Sequence, residues 1–215
     1  MRTRTWFCGT VLALIVAGPV RPAAAEWFLD LYGGGAFTQD ADITINDGTR
    51  LNAKLKFDTE ATGGGRLGFY LTGIGLPWLG FGLDASYYAP ATSAADVEAR
   101  LEVVPISALA FLRLPLLPDP EVPVGRLQLY VGGGPSLVAT RVKVDAPVLG
   151  ERFSETVAEL GADFRGGVTF MLTHTFGVFA EARYLFFSTS PGAHSFGVDL
   201  DIETFQVLGG LTLRF

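Results

Sequence analysis

The chain has 215 residues, 49% hydrophobic and only 18% charged, with a mean hydropathy of +0.35. Sixteen Lys and Arg stand against 22 Asp and Glu, and this net charge of −6 disfavours a nucleic-acid partner. A single cysteine, Cys8, rules out an internal disulfide.

Residues 1–25 have the three parts of an export signal: Arg2 and Arg4 in a charged head, an apolar stretch from Trp6 to Ala17, and Ala23-Ala24-Ala25 as a small-residue cleavage site. Gly18, Pro19, Arg21 and Pro22 cut the apolar run below the roughly 20 residues of a membrane helix. The expected organisation is therefore a signal peptide over 1–25 and one domain over 26–215. Without Arg2, Arg4 and Arg21, 13 bases face 22 acids, a net charge of −9, and Cys8 leaves with the signal.

Beyond residue 25 no run is long enough for a membrane helix, yet the chain is apolar. That combination points to strands that face lipid on one side and a lumen on the other. Eight segments of alternating polarity predict strands near residues 27–38, 55–72, 77–89, 99–114, 125–144, 155–173, 176–188 and 199–215. In the last, Phe205, Val207, Gly209, Leu211, Leu213 and Phe215 share one face, and Thr204, Gln206, Leu208, Gly210, Thr212 and Arg214 the other. The sixth and seventh repeat the pattern. In the fourth, apolar residues occupy both phases and Pro105 cannot donate to a ladder, so a bulge is expected there.

Connections alternate in length. Gly73 to Leu76 and Thr173 to Thr175 are short; Gln39 to Ala53, Pro90 to Glu98, Asp145 to Ser154 and Thr189 to Val198 are long and polar or rich in Gly and Pro. Short turns belong on the periplasmic side of a membrane barrel and long loops outside. Leu116 to Gly125, with Pro118, Pro120 and Pro123, is the exception, an unusually long periplasmic turn stiffened by proline. The glycine triplets at 33–35, 63–65 and 132–134 have no following helix and so do not read as phosphate cradles. They suit a narrow barrel that bends and leaves room for long side chains.

The Gly-rich first strand Leu31-Tyr32-Gly33-Gly34-Gly35-Ala36-Phe37, the run Gly64-Gly65-Arg66-Leu67-Gly68-Phe69-Tyr70, the strand Ala180-Glu181-Ala182-Arg183-Tyr184 and the terminal Leu211-Thr212-Leu213-Arg214-Phe215 resemble the small outer-membrane β-barrels related to the OmpA transmembrane domain and to opacity-type adhesins. The resemblance implies an all-β, eight-stranded antiparallel up-and-down barrel in the cell outer membrane. It implies Phe215 as a C-terminal signal for the outer-membrane assembly machinery. Outer-membrane lipids and lipopolysaccharide are the expected surroundings, host or envelope ligands would meet the loops, and a monomer without cofactor is expected.

With the aromatics facing out, the opposite face collects Asp30, Arg66, Asp84, Asp163, Arg165, Glu181 and Arg183. An eight-stranded barrel is only wide enough for side chains to fill it, so these charges are expected to pair and close the lumen. The competing readings are a narrow pore or ion path, an acid/base pair, and a lipid A-modifying enzyme of the deacylase kind. For the last, His194, Ser195, Asp199 and Asp201 supply the residue types, but adjacent His and Ser on an extended backbone point apart. His174 falls in a short turn, and neither His has a partner at zinc-ligand spacing. Asp40, Asp42 and Asp47 lack EF-hand spacing, so no metal site is expected. A soluble lipocalin-like barrel would turn its oily face inward. Its surface would need more lysine than Lys54, Lys56 and Lys143.

Overall fold

The structure is a computed structural model that describes residues 25–38, 41–45, 53–55, 59–89, 91–94, 97–146, 151–189 and 198–215, with side chains over 25–38, 59–89, 102–141, 156–188 and 202–215. Among the described residues eleven strands form: β1 Glu26–Thr38, β2 Ala41–Ile45, β3 Ala53–Leu55, β4 Glu60–Leu71, β5 Leu76–Tyr88, β6 Ala91–Ala94, β7 Val97–Leu116, β8 Leu127–Ala146, β9 Glu151–Met171, β10 Phe176–Thr189 and β11 Val198–Arg214. Eight of them close an antiparallel barrel in the order β1-β4-β5-β7-β8-β9-β10-β11, and β11 pairs back to β1 from Phe28↔Arg214 to Thr38↔Thr204. Closure leaves no free sheet edge among these eight, as a strand structure in hydrocarbon requires.

Which face is outside follows from exposure. On β1, Phe28, Asp30, Tyr32 and Ala36 are buried while Trp27, Leu31 and Phe37 are exposed. On β11, Gln206, Leu208, Thr212 and Arg214 are buried, whereas Phe205, Val207, Leu211, Leu213 and Phe215 are exposed. The oily side faces outward, which overturns the lipocalin alternative. From Trp27 to Phe37 the strand advances about 33 Å at ~3.3 Å per residue, and a tilt of about 40° leaves a band of about 25 Å. Trp27, Trp78 and Phe215 mark its periplasmic edge, and Phe37, Phe205 and Tyr87 its outer edge.

The expected bulge at Pro105 is absent. Pro105 pairs with Val138 in a β7–β8 register that holds from Glu98↔Asp145 to Leu116↔Leu127. The two apolar phases of this strand have another cause: Val103, Leu109 and Phe111 point into the lumen, where they belong to apolar layers, while Ile106, Leu112 and Leu114 face out. The prolines act on the ladder instead. The β5–β7 ladder skips Ser86–Tyr87 opposite Val104–Pro105, and the β7–β8 ladder skips Ala108–Leu109 opposite Gly134–Pro135, each gap lying where a proline has no N–H to give. Among the described residues the one register shift lies between Tyr70 and Leu71, at the short 3₁₀ turn Thr72–Ile74.

Two further differences concern the outer end. The strand expected from residue 55 begins at Glu60, and Ala53–Leu55 pairs with β2, which itself pairs with the start of β11. The segments expected as loops from Pro90 and from Asp145 are largely strand: β6 folds onto β7, and β8 and β9 pair out to Ala146↔Glu151. A hydrogen-bonded ladder is as satisfactory in water as in lipid, so pairing continues beyond the apolar band.

Close passage of neighbouring strands explains a glycine. A Cβ on Gly134 would lie 1.9 Å from the Ala108 carbonyl oxygen, so no larger residue fits without a shift of the backbone.

Candidate functional site

The lumen is stacked in layers. At its outer end Ala36, Tyr88, Val103, Val138, Leu185, Phe187 and Ile202 form an apolar cluster. Towards the periplasmic end Phe28, Tyr70, Leu109, Phe111 and Tyr130 form a second. Between them lie the seven charged residues singled out in the sequence, each at most 4% exposed.

Register brings them together. Asp30 of β1 is opposite Arg66 of β4, which is opposite Asp84 of β5; Arg165 of β9 is opposite Arg183 of β10. Arg66 donates from Nε to Asp30 Oδ2 at 2.8 Å and from Nη1 to Glu181 Oε2 at 2.6 Å. Arg165 donates from Nη1 to Asp84 Oδ2 at 3.0 Å and to Glu181 Oε1 at 3.3 Å, while its Nε and Nη2 hold Asp163. Arg183 donates from Nη2 to Asp84 at 3.0 Å and from Nη1 to Ser86 Oγ at 3.0 Å. Hydroxyls complete the carboxylate shells: Tyr32 donates to Asp84 at 2.9 Å, Tyr130 to Glu181 at 2.8 Å and Ser107 to Asp163 at 2.8 Å. The planar guanidinium suits this work because one fork reaches two carboxylates. Arg66 also sits 5.0 Å from the Phe111 ring centre and 5.5 Å from that of Phe179, so cation–π contact covers its faces.

The network joins β1, β4, β5, β7, β8, β9 and β10 across the lumen. Such charges are tolerable only where each has an ion-pair partner, as here, since a carboxylate left alone in this interior would cost several kcal/mol. The central set has four acids and three arginines. A second set nearer the periplasm has one acid, Glu26, and two arginines, Arg113 and Arg214. Arg113 grips Glu26 with both nitrogens at 2.9 Å, donates to the Pro77 carbonyl, and stacks 3.6 Å from the Tyr70 ring centre. Arg214 lies 3.6 Å from Glu26 and over the Phe28 and Tyr70 rings. Together the two sets hold five carboxylates and five guanidinium groups. Sequence reasoning missed Arg113 because β7 hides its phase, and Glu26 because it opens a segment. Arg214 was on the polar face and its partner was not foreseen.

The long turn between β7 and β8 folds across the periplasmic mouth. Val122 is its inward tip and is 5% exposed. Asp119 accepts from the backbone N–H groups of Glu121 and Val122 at 2.8 and 2.7 Å and pairs with Arg126, which also pairs with Glu121. Arg126 donates to the Leu172 carbonyl, and its own carbonyl accepts from Met171, tying the turn to the β9–β10 connection. Gly125 turns at φ 108°, and Leu117 adopts φ 53°. Hydrogen bonds from Arg126 and the two backbone N–H groups hold the Asp119 carboxyl below the ordinary aspartate range.

His174 is an exposed residue of the Ser/Thr-type turn in which Thr173 Oγ1 accepts from the Thr175 and Phe176 N–H groups. His194, Ser195, Asp40, Asp47 and Lys56 lie outside the described residues. Asp42, Lys54, Lys143, Asp199 and Asp201 fall on β2, β3, β8 and β11, where only the backbone is described. Phe215 lies at the periplasmic edge, 52% exposed towards lipid, and its backbone pairs with Trp27.

An apolar belt of lipid-facing width, aromatic edges and a closed strand cylinder define a transmembrane β-barrel of the cell outer membrane. The chain belongs to the outer membrane protein beta-barrel domain family, whose pattern it matches over residues 10–215. Among solved structures it is similar to OprG from Pseudomonas aeruginosa, with a TM-score of 0.60 and 14% identity over 90% of this chain and 96% of that one. It is also similar to the Neisserial surface protein A, with a TM-score of 0.51 and 15% identity over 90% of this chain and 98% of that one. At these identities the likeness is one of fold. No curated protein matches it in sequence.

Proposed function

We propose that this protein is a closed outer-membrane anchor, a barrel whose lumen is shut by paired charges and whose work is done by its outer loops in contact with the envelope or with surface ligands. The observation that carries this reading is the central network: seven charged side chains, none more than 4% exposed, joined across the lumen between two apolar layers. A conducting path needs water beside its charges, and here protein groups bond each of these four carboxylates, with Asp30 Oδ1 alone of their eight oxygens left without a hydrogen bond. The fold positions the loops and leaves their partner open.

The barrel is expected to act as a monomer among lipids and lipopolysaccharide, with Phe215 as the residue read during assembly. Two measurements test the proposal. Proteoliposomes should exclude small sugars, and rapid swelling in arabinose would refute the closed lumen. Shortening the loop from Gln39 to Ala53 should leave a folded, heat-modifiable barrel and remove a surface phenotype. An unchanged envelope and adhesion phenotype would refute a role for that loop.

A further inference from the structure

The periplasmic mouth holds a cavity of about 540 Å³, walled by Val122, Pro123 and Val124 of the β7–β8 turn and by Met171 and Phe215 of the barrel rim. Arg214 lines it and is only 7% exposed, yet among the described residues its Nε and Nη1 have no hydrogen-bond acceptor. Its guanidinium lies over the Phe28 and Tyr70 rings, 5.0 and 5.2 Å from their centres, so an acceptor has to meet it at the edge. Glu26 comes no nearer to Nη1 than 3.6 Å, both its oxygens being held by Arg113 at 2.9 Å. Buried N–H groups without acceptors are costly, and more so on a charged group. The buried charges at the mouth, Glu26, Arg113 and Arg214, also leave one positive charge in surplus. Glu121 lines the cavity too, but its side chain is 54% exposed and paired with Arg126, so water screens it. His174 is exposed at the rim. The central network has the opposite surplus, but it lies beyond the layer of Phe28, Tyr70 and Phe111 and supplies no acceptor to these two nitrogens.

We propose that this cavity binds a small carboxylic acid with a short apolar chain, its carboxylate on the edge of Arg214 and its chain against Val122, Val124 and Met171. A guanidinium and a carboxylate match in charge and in planar geometry, and their hydrogen bonds are of the strong, charge-assisted kind. Water alone would accept from the N–H groups but leave the surplus charge unbalanced. A phosphate dianion would overbalance it and gain nothing from the apolar walls. A single negative charge on an apolar body answers both features, the combination of a few placed polar groups and an oily lining that small-molecule sites use. The cavity opens on the periplasm and leaves the central network untouched, so the site does not depend on what the outer loops do.

The test uses the full chain in phosphatidylcholine nanodiscs, whose headgroups carry no net charge, labelled with 15N-arginine and methyl-13C-methionine. The chain has two methionines, and Met171, 1% exposed, lies on the cavity wall, so its methyl signal, assigned by Met171→Leu, reports occupancy in every variant. Hexanoate, acetate, hexanol and inorganic phosphate are titrated at neutral pH. The proposal expects hexanoate to shift the Met171 methyl and the Arg214 Nε–H signals saturably and with one Kd, about tenfold or more below the values for the other three. Arg214→Gln should weaken hexanoate binding at least about tenfold, read from Met171, with heat-modifiability confirming the fold. Should that variant fail to fold, Val124→Phe, which fills the cavity from the turn, should produce the same loss. Hexanol binding as well as hexanoate would overturn the proposal by showing an oily pocket indifferent to charge. Acetate or phosphate binding as well as hexanoate would overturn the assigned ligand class. A shift that does not saturate, or affinity unchanged in a folded Arg214→Gln or Val124→Phe chain, would overturn the site itself.

Discussion

Replacing Arg66 by Met probes the closed lumen at its most connected point. The guanidinium donates to Asp30 at 2.8 Å and to Glu181 at 2.6 Å, and its Nη2 lies 2.7 Å from Asp30. Met keeps much of the volume, so the loss is electrostatic. Glu181 retains Tyr130 and Arg165, whereas among the described residues the hydrogen bonds to the Asp30 side chain come from Arg66 alone. Breaking a buried ion pair from one side costs about 3–5 kcal/mol, because the remaining carboxylate stays desolvated. We expect Arg66→Met to lose about 4 kcal/mol, nearly a thousandfold in the folding equilibrium, in urea titrations of vesicle-embedded protein followed by tryptophan emission. Arg66→Met combined with Asp30→Asn should recover more than half of that loss, since the orphaned charge is gone. A single-variant loss below about 1 kcal/mol would refute the reasoning, because it would mean that water solvates these groups and the lumen is open.

Gly134→Ala should cost about 1–3 kcal/mol or block assembly, since the new methyl meets the Ala108 carbonyl at 1.9 Å; Gly33→Ala, whose nearest atom is 3.6 Å away, should be tolerated, and equal urea midpoints would contradict this. Val122→Ala should weaken closure of the periplasmic mouth by about 1–2 kcal/mol and speed proteolysis of the turn between Leu117 and Arg126, and unchanged cleavage would count against a seated tip. The depressed carboxyl of Asp119 makes its contribution to the turn complete above the ordinary aspartate value of 3.8 and lost as pH falls through its lower folded value. Amide shifts of Glu121 and Val122 should therefore titrate with a midpoint below 3.8 and stop titrating in Asp119→Asn, and a midpoint above 4 would oppose the assignment.

Alternation made most of the barrel legible. The last three strands have one oily and one mostly polar face, so their phase, and with it the inward position of Asp163, Arg165, Glu181, Arg183 and Arg214, could be read from spacing. Strand β7 resisted because a plugged lumen has apolar layers of its own: Val103, Leu109 and Phe111 answer those layers, and Ile106 and Leu112 answer lipid. A period-two reading assumes a polar inside, and that assumption fails above and below the charge network. Arg113 was lost with the phase of β7. The pairing of Glu26 with Arg113, 87 residues away, depends on barrel closure and has no local signal. Strand extension beyond the membrane was hidden for a different reason, since polar residues in paired strands outside lipid look like loop. The prolines of the β7–β8 turn announced stiffness, but the seat of Val122 beneath the lumen is a tertiary fact.

Planar-bilayer recording of the purified, refolded protein tests the closed barrel most directly. With five carboxylates matched to five guanidinium groups inside the wall, and apolar layers on either side of the central network, the protein should insert without steady current at moderate voltages. A large, stable, reproducible open-channel conductance would contradict the account.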